Sequence, residues 1–116
     1  MVTLPDFKNV EGPVLMLNLV RFRDKAHYFE QYLPAFEKVT ASLDLKGVRV
    51  VMVCDIVANI LSSPDDKWDA LVVVEYPSAN AFKTVAESEA YHNIAEAHRL
   101  TALEELKLFM TTRAVL

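Results

Sequence analysis

Only two glycines, Gly12 and Gly47, occur in the 116 residues of this chain. A Gly-rich phosphate-cradling loop needs several closely spaced glycines, so that class of nucleotide site is excluded. Cys54 is the single cysteine, which rules out an intrachain disulfide and a Cys-based zinc cluster. It stands in the apolar run Val-Met-Val-Cys-Asp-Ile-Val and is expected to be a small buried hydrophobe. Lys/Arg runs are missing: Arg21 and Arg23 are separated by Phe22, and the net charge is −4 with a sequence pI near 5.3. Nucleic acid is therefore not an expected partner. No apolar stretch approaches the ~20 residues of a membrane span. The N-terminal residues carry neither a basic region nor the apolar core of a signal peptide, so a cytoplasmic location is expected by default. His92 and His98 are six residues apart and fall on different helix faces, so no metal site is expected. A Gly-x-Ser-x-Gly nucleophile elbow is also missing.

What remains is apolar: 53% hydrophobic residues against 24% charged. The length fits one domain over 1–116, able to bury a core without metals or disulfides. So much apolar sequence in a small chain predicts a second buried surface, most simply a homodimer interface.

The periodicities give an element order. After a lead-in over 1–12, Val14–Phe22 is nearly continuous apolar sequence behind Gly12-Pro13, which predicts a strand buried on both faces. Its polar exceptions, Asn18 and Arg21, point to opposite faces. Over 25–44, Tyr28, Tyr32, Phe36, Val39 and Leu43 form one helical stripe, more simply core than an aromatic cofactor box. Pro34 interrupts that stripe and should kink or split the helix, which would let the phenols into a cavity. Val48–Ile60 and Trp68–Tyr76 read as a hairpin of strands around the turn cluster 62–66. Ser78 and Ser88 are helix N-caps, the first opening a short helix with Ala81, Phe82 and Val85 inward. The second helix carries Tyr91, Ile94, Ala95 and His98 on one stripe, and a last strand covers about Leu106 to Thr112. The order βαββαβ predicts an α+β, ferredoxin-like fold with helices on one face of a four-stranded antiparallel sheet. The strands are apolar on both faces, so a partner's sheet is expected to cover the other.

The candidate chemistry gathers near the last helix. His98, placed on the stripe of Tyr91, is the candidate acid–base group. Tyr91, about two turns earlier, should meet the same ligand. The competing reading of His98 is a satisfied core histidine at a helix C-terminus. Arg99 can hold a carboxylate through its fork of N–H donors, or pair with Glu96 or Glu104. Asn18 can orient a ligand oxygen or bond a neighbouring group. Asp69 with Glu75, and Arg49 with Asp55, share alternation classes and are read as ion-pair formers between strands or subunits.

The segments Asn18-Leu19-Val20-Arg21-Phe22-Arg23, Glu75-Tyr76-Pro77-Ser78 and His98-Arg99-Leu100 resemble the uncharacterised family known as domain of unknown function 1330, over about Pro13 to Thr112. That family sits in the dimeric α/β barrel superfamily, so the resemblance implies this fold and a homodimer, and no established reaction. Relatives include cofactor-free monooxygenases, haem-degrading enzymes, lactone isomerases and polyketide cyclases, which use a cavity between sheet and helices. Some combine an Asn on the first strand, a Trp on the third and a His on a helix, and Asn18, Trp68 and His98 are similar to that set by element. His98 stands 30 residues beyond Trp68, farther than in the haem-degrading relatives, so haem ligation is not expected, and the reading is of a protein that uses no cofactor. The expectation is a cavity for an apolar or aromatic small molecule, with His98 and Tyr91 as catalytic groups and Asn18, Arg99, Tyr32 and Trp68 in contact with it. The alternative is a non-catalytic metabolite-binding or structural dimer.

Overall fold

The computed structural model describes residues 4–116. Strands β1 (Val14–Phe22), β2 (Arg49–Asp55), β3 (Ala70–Tyr76) and β4 (Leu103–Thr111) form one antiparallel sheet in the order β2-β3-β1-β4. Two crossovers carry the helices. After β1, α1 (Lys25–His27) runs through a π-helical turn (Tyr28–Tyr32) into α2 (Leu33–Ser42). After β3 come α3 (Ala79–Ala86), then a second π-helical turn (Tyr91–Ala95) leading into α4 (Glu96–Ala102). This is the predicted α+β, ferredoxin-like arrangement. Among the described residues, no helix is long and apolar enough to cross a membrane.

Opposite residues of an antiparallel pair share a face. Met16 pairs with Val74 and Met110, and Val20 with Ala70 and Leu106, so these positions lie on the face under the helices. Val14, Val20, Val72 and, from α2, Val39 are fully buried there. Each such valine contributes roughly 1.5–3 kcal/mol relative to exposure. Leu15, Leu17, Leu19, Leu71 and Val73 point the other way, joined by Met52 and Phe109. Among the described residues no helix packs on that face, and Met52 and Phe109 are about half exposed (52% and 49%). Cys54, opposite Leu71, is on it too and is exposed, not buried as its apolar neighbours suggested. The strand pattern is right for a two-sided sheet, but one chain covers only one side.

Several boundaries moved. β2 ends at Asp55 rather than Ile60, because Ile56 N–H turns to bond Asp69 C=O and the chain then leaves the sheet. Trp68 precedes β3 instead of opening it, and β4 starts at Leu103, directly after α4. The first helix ends at Ser42, with Asp44 and Gly47 in the left-handed region (φ 53° and 85°); Gly47 also meets Pro77. A register irregularity between Val50 and Met52 reverses the alternation of β2. Arg49 therefore pairs with Glu75 across the strands (2.9 Å), while Asp55 turns to the helix side and meets Lys25 (3.4 Å), so the two do not share a face. Asp69 accepts from the Phe22 N–H at 2.7 Å. Pro34 is tolerated because the π-helical turn ends directly before it: the Leu33 N–H reaches back to Tyr28 C=O, and the proline sits in the first turn of α2, where its missing donor matters least. Ser78 Oγ and Ser88 Oγ accept from the Ala81 and Tyr91 N–H groups (3.0 Å each), as N-caps do.

Candidate functional site

A cavity of about 560 Å³ lies between the helix-covered face of the sheet and the helices. Its floor comes from alternate residues of the strands: Met16 and Asn18 of β1, Val74 and Tyr76 of β3, and Leu106 and Leu108 of β4. Leu33 and Phe36 of α2, and Phe82 and Val85 of α3, make its apolar walls. The chain has four tyrosines, and all of them, Tyr28, Tyr32, Tyr76 and Tyr91, line this one space. Among the described residues, no three His, Cys, Asp or Glu side chains converge as a metal site requires.

The two π-helical turns position the phenols. Tyr28, Tyr32 and Phe36 are spaced by four and then four, one residue more than an ideal α-helical stripe, and the wide turn absorbs the extra residue. Tyr28 and Tyr32 stack with ring centroids 5.3 Å apart. From the facing turn, the Tyr91 hydroxyl meets the Tyr32 hydroxyl at 2.9 Å, a bridge between residues 59 positions apart. Burial pushes the ionisation of Tyr28, Tyr32 and Tyr76 well above the ordinary phenol range. Tyr91 is also pushed up by burial, but on it alone the Tyr32 hydroxyl and the Arg99 charge act in the opposite direction.

The second π-helical turn also decides which polar group joins Tyr91. In an unbroken α-helix, His98 would follow Tyr91 at seven residues. The turn Tyr91–Ala95 inserts one residue, so Arg99 continues the Tyr91 stripe and lines the cavity. His98 is rotated out of it. Its Nδ1 lies 2.9 Å from His27 Nε2, in a bond that ties α4 to α1. The expected pairing of His98 with Tyr91 is thus replaced by Arg99 with Tyr91.

Arg99 Nε is buried and has no hydrogen-bond acceptor among the described residues. The two carboxylates nearest in sequence are engaged elsewhere: Glu96 Oε2 with His92 Nδ1 at 2.6 Å, and Glu104 Oε2 with Arg23 Nε at 3.0 Å. The His92 bond holds the Glu96 carboxyl below the usual carboxylate range. His92 and Glu96 line the cavity with Ser88 and Glu87, four residues that the sequence did not place there. Asn18 does reach the cavity. Its Nδ2 donates to Met16 C=O (3.2 Å) and Val72 C=O (3.1 Å), so the amide is held by the sheet it interrupts. Trp68 does not: it sits on the opposite side of the sheet, between the Arg21 guanidinium (5.2 Å) and the Lys107 ammonium (5.3 Å). Arg21 belongs to the outer face by alternation and carries Trp68 there with it. Of the six predicted site residues, four share the cavity (Asn18, Tyr32, Tyr91 and Arg99), while His98 and Trp68 do not.

Comparison with known proteins supports the fold. No family model and no functionally curated protein matches the chain. Among solved structures, RPA0582, a protein of unknown function from Rhodopseudomonas palustris, is similar at 27% identity and TM-score 0.75, covering 92% of this chain and 87% of that one. A DABB family protein with a ferredoxin-like fold from Mesorhizobium loti is 10% identical with TM-score 0.56, covering 90% and 100%. A dimeric ferredoxin-like protein of unknown function from Thermobifida fusca is 16% identical with TM-score 0.54, covering 88% and 92%. The neighbours therefore include ferredoxin-like and DABB family proteins, and this chain has that fold.

Proposed function

We propose that this protein is a homodimeric small-molecule-binding protein of the domain of unknown function 1330 type, whose cavity takes an apolar or aromatic oxygenated compound. The observation that carries the reading is the Tyr32–Tyr91 hydroxyl pair, held at 2.9 Å inside a largely apolar cavity of about 560 Å³. Ligand sites combine this kind of apolar enclosure with a few convergent polar groups, and the volume falls in their usual range. The first-strand and strand-to-helix motifs, with the DABB family neighbour, support the finer kinship. The uncovered leucine-rich face of the sheet supports the dimer, as does the dimeric state of the Thermobifida fusca neighbour.

In the catalytic form of this reading, a cofactor-independent oxygenase or isomerase/cyclase, proton transfer falls to Tyr91 and not to His98. Tyr91 is the one phenol whose ionised form is favoured by both a hydroxyl donor and a cation. Tyr32 orients a ligand oxygen, and Asn18, whose N–H groups are taken by Met16 and Val72 carbonyls, accepts a ligand hydroxyl through Oδ1. Thermal unfolding against a panel of phenols, quinones and aromatic ketones tests the binding reading. Stabilisation should rise with free ligand concentration. Tyr91→Phe should abolish product formation if the ligand is turned over, and should alter only affinity if it is merely held. A flat response across the panel, with the dimer intact, would count against binding.

A further inference from the structure

We infer that the natural ligand of this cavity is a monocarboxylate with an apolar body about two or three rings in size, its carboxylate seated on Arg99. The inference rests on the reading that the cavity binds a small molecule, and it names the class. An arginine keeps its charge at any physiological pH, and a buried N–H without an acceptor is costly, so such a group calls for an explanation. Arg99 Nε is buried without one among the described residues. The glutamates nearby make their hydrogen bonds elsewhere, Glu96 with His92, Glu104 with Arg23 and Glu105 with Arg21; the Arg99 charge acts on the Glu96 carboxyl, but no glutamate accepts from Arg99 Nε. A planar carboxylate satisfies a guanidinium with two parallel hydrogen bonds. The Tyr32–Tyr91 pair lies close enough for Arg99 to act on the ionisation of Tyr91, so the same anion or a neighbouring oxygen can also accept from a phenol.

Size and rim charge narrow the class further. An apolar cavity of ~150 Å³ holds benzene, and this one measures about 560 Å³. Its walls of Leu33, Phe36, Val74, Phe82 and Val85 offer nothing to a second charge. Glu87 and Glu96 stand at the rim, where a further negative group on the ligand would meet them. Repulsion there selects against dicarboxylates and phosphates, while the half-buried Arg99, the one cationic Lys or Arg lining the cavity, selects against neutral isosteres.

The test is calorimetric titration of the whole protein with naphthoate, naphthamide and a naphthalene dicarboxylate. The wild type should bind naphthoate at least about tenfold more tightly than the amide, as expected for a charge-assisted hydrogen bond, and the dicarboxylate should bind more weakly than the monoacid. Arg99→Gln should weaken naphthoate by roughly tenfold to a hundredfold and move the amide by less than about twofold. Arg99→Lys should recover part of the loss, because it keeps the charge and loses the fork. Equal affinity for acid and amide in the wild type overturns the inference while leaving small-molecule binding standing, and needs no variant to fold. So does unchanged naphthoate affinity in Arg99→Gln. Absence of binding by every probe overturns the inference and the binding reading together.

Discussion

Alkali should unfold this protein in a narrow pH range, and the four cavity tyrosines set where. In the unfolded chain each phenol ionises near ~10. In the fold, burial raises the value for Tyr28, Tyr32 and Tyr76 well beyond that, and Tyr28 and Tyr76 are only 3% and 4% exposed. Below pH ~10 both states keep these protons and the phenols add no pH dependence. Above it the unfolded chain loses protons that the fold retains, so stability falls as pH rises towards the folded values. Each retained proton costs about 1.4 kcal/mol at pH 11 and about 2.7 kcal/mol at pH 12. Three phenols together cost about 4 and then about 8 kcal/mol, against a total of about 5–15 kcal/mol for a typical domain. The assay is denaturant unfolding by circular dichroism at pH 8, 10, 11 and 12, with phenolate absorbance followed in parallel. The two signals should rise together, because ionisation waits for unfolding. Tyr28→Phe should become more stable relative to wild type at pH 12 than at pH 8, by about 2.7 kcal/mol. Several tyrosines ionising near pH 10 with the circular dichroism intact would refute the enclosed-phenol cavity.

Cys54 gives a probe for the outer sheet face. Its thiol should react quickly in dilute monomer and at least about tenfold more slowly at concentrations where light scattering gives a dimer mass. Phe109→Lys should yield a monomer whose thiol reacts quickly at all concentrations. A labelling rate that never depends on concentration argues against a dimer through this face. His98→Gln and Trp68→Phe should leave naphthoate affinity within about twofold, and His98→Gln should lose about 0.5–1.5 kcal/mol of stability with the His27 bond. Loss of ligand binding in a folded His98→Gln protein would contradict the shifted helix phase.

The first strand illustrates how much the chain states outright. Val14–Phe22 is apolar at nearly every position, which demands burial on both sides, and the order of periods from two to 3.6 and back gives the βαββαβ succession. Asn18 stood out because an amide in such a run needs partners, and the Met16 and Val72 carbonyls supply them. Tyr32 was legible as part of an aromatic stripe. Tyr76 was hidden at the end of a hydrophobic strand, where nothing local separates a cavity phenol from a core one. Trp68 was misplaced because the alternation of β3 does not extend to it, and only its packing with Arg21 and Lys107 shows which side it takes. Cys54 looked buried because sequence registers apolar neighbours and not whether one chain can supply their cover.

The sequence by itself determined the element order, the antiparallel sheet with apolar residues on both faces, and the gathering of polar side chains near the last helix. Those follow from local periodicity and from the types of residue present. Only the tertiary structure decided which of two adjacent residues, His98 or Arg99, enters the cavity. A single inserted residue turns a helix face by about 100°. Whether a helix takes a π-helical turn is settled by what packs against it, here the facing turn that brings Tyr32 to Tyr91.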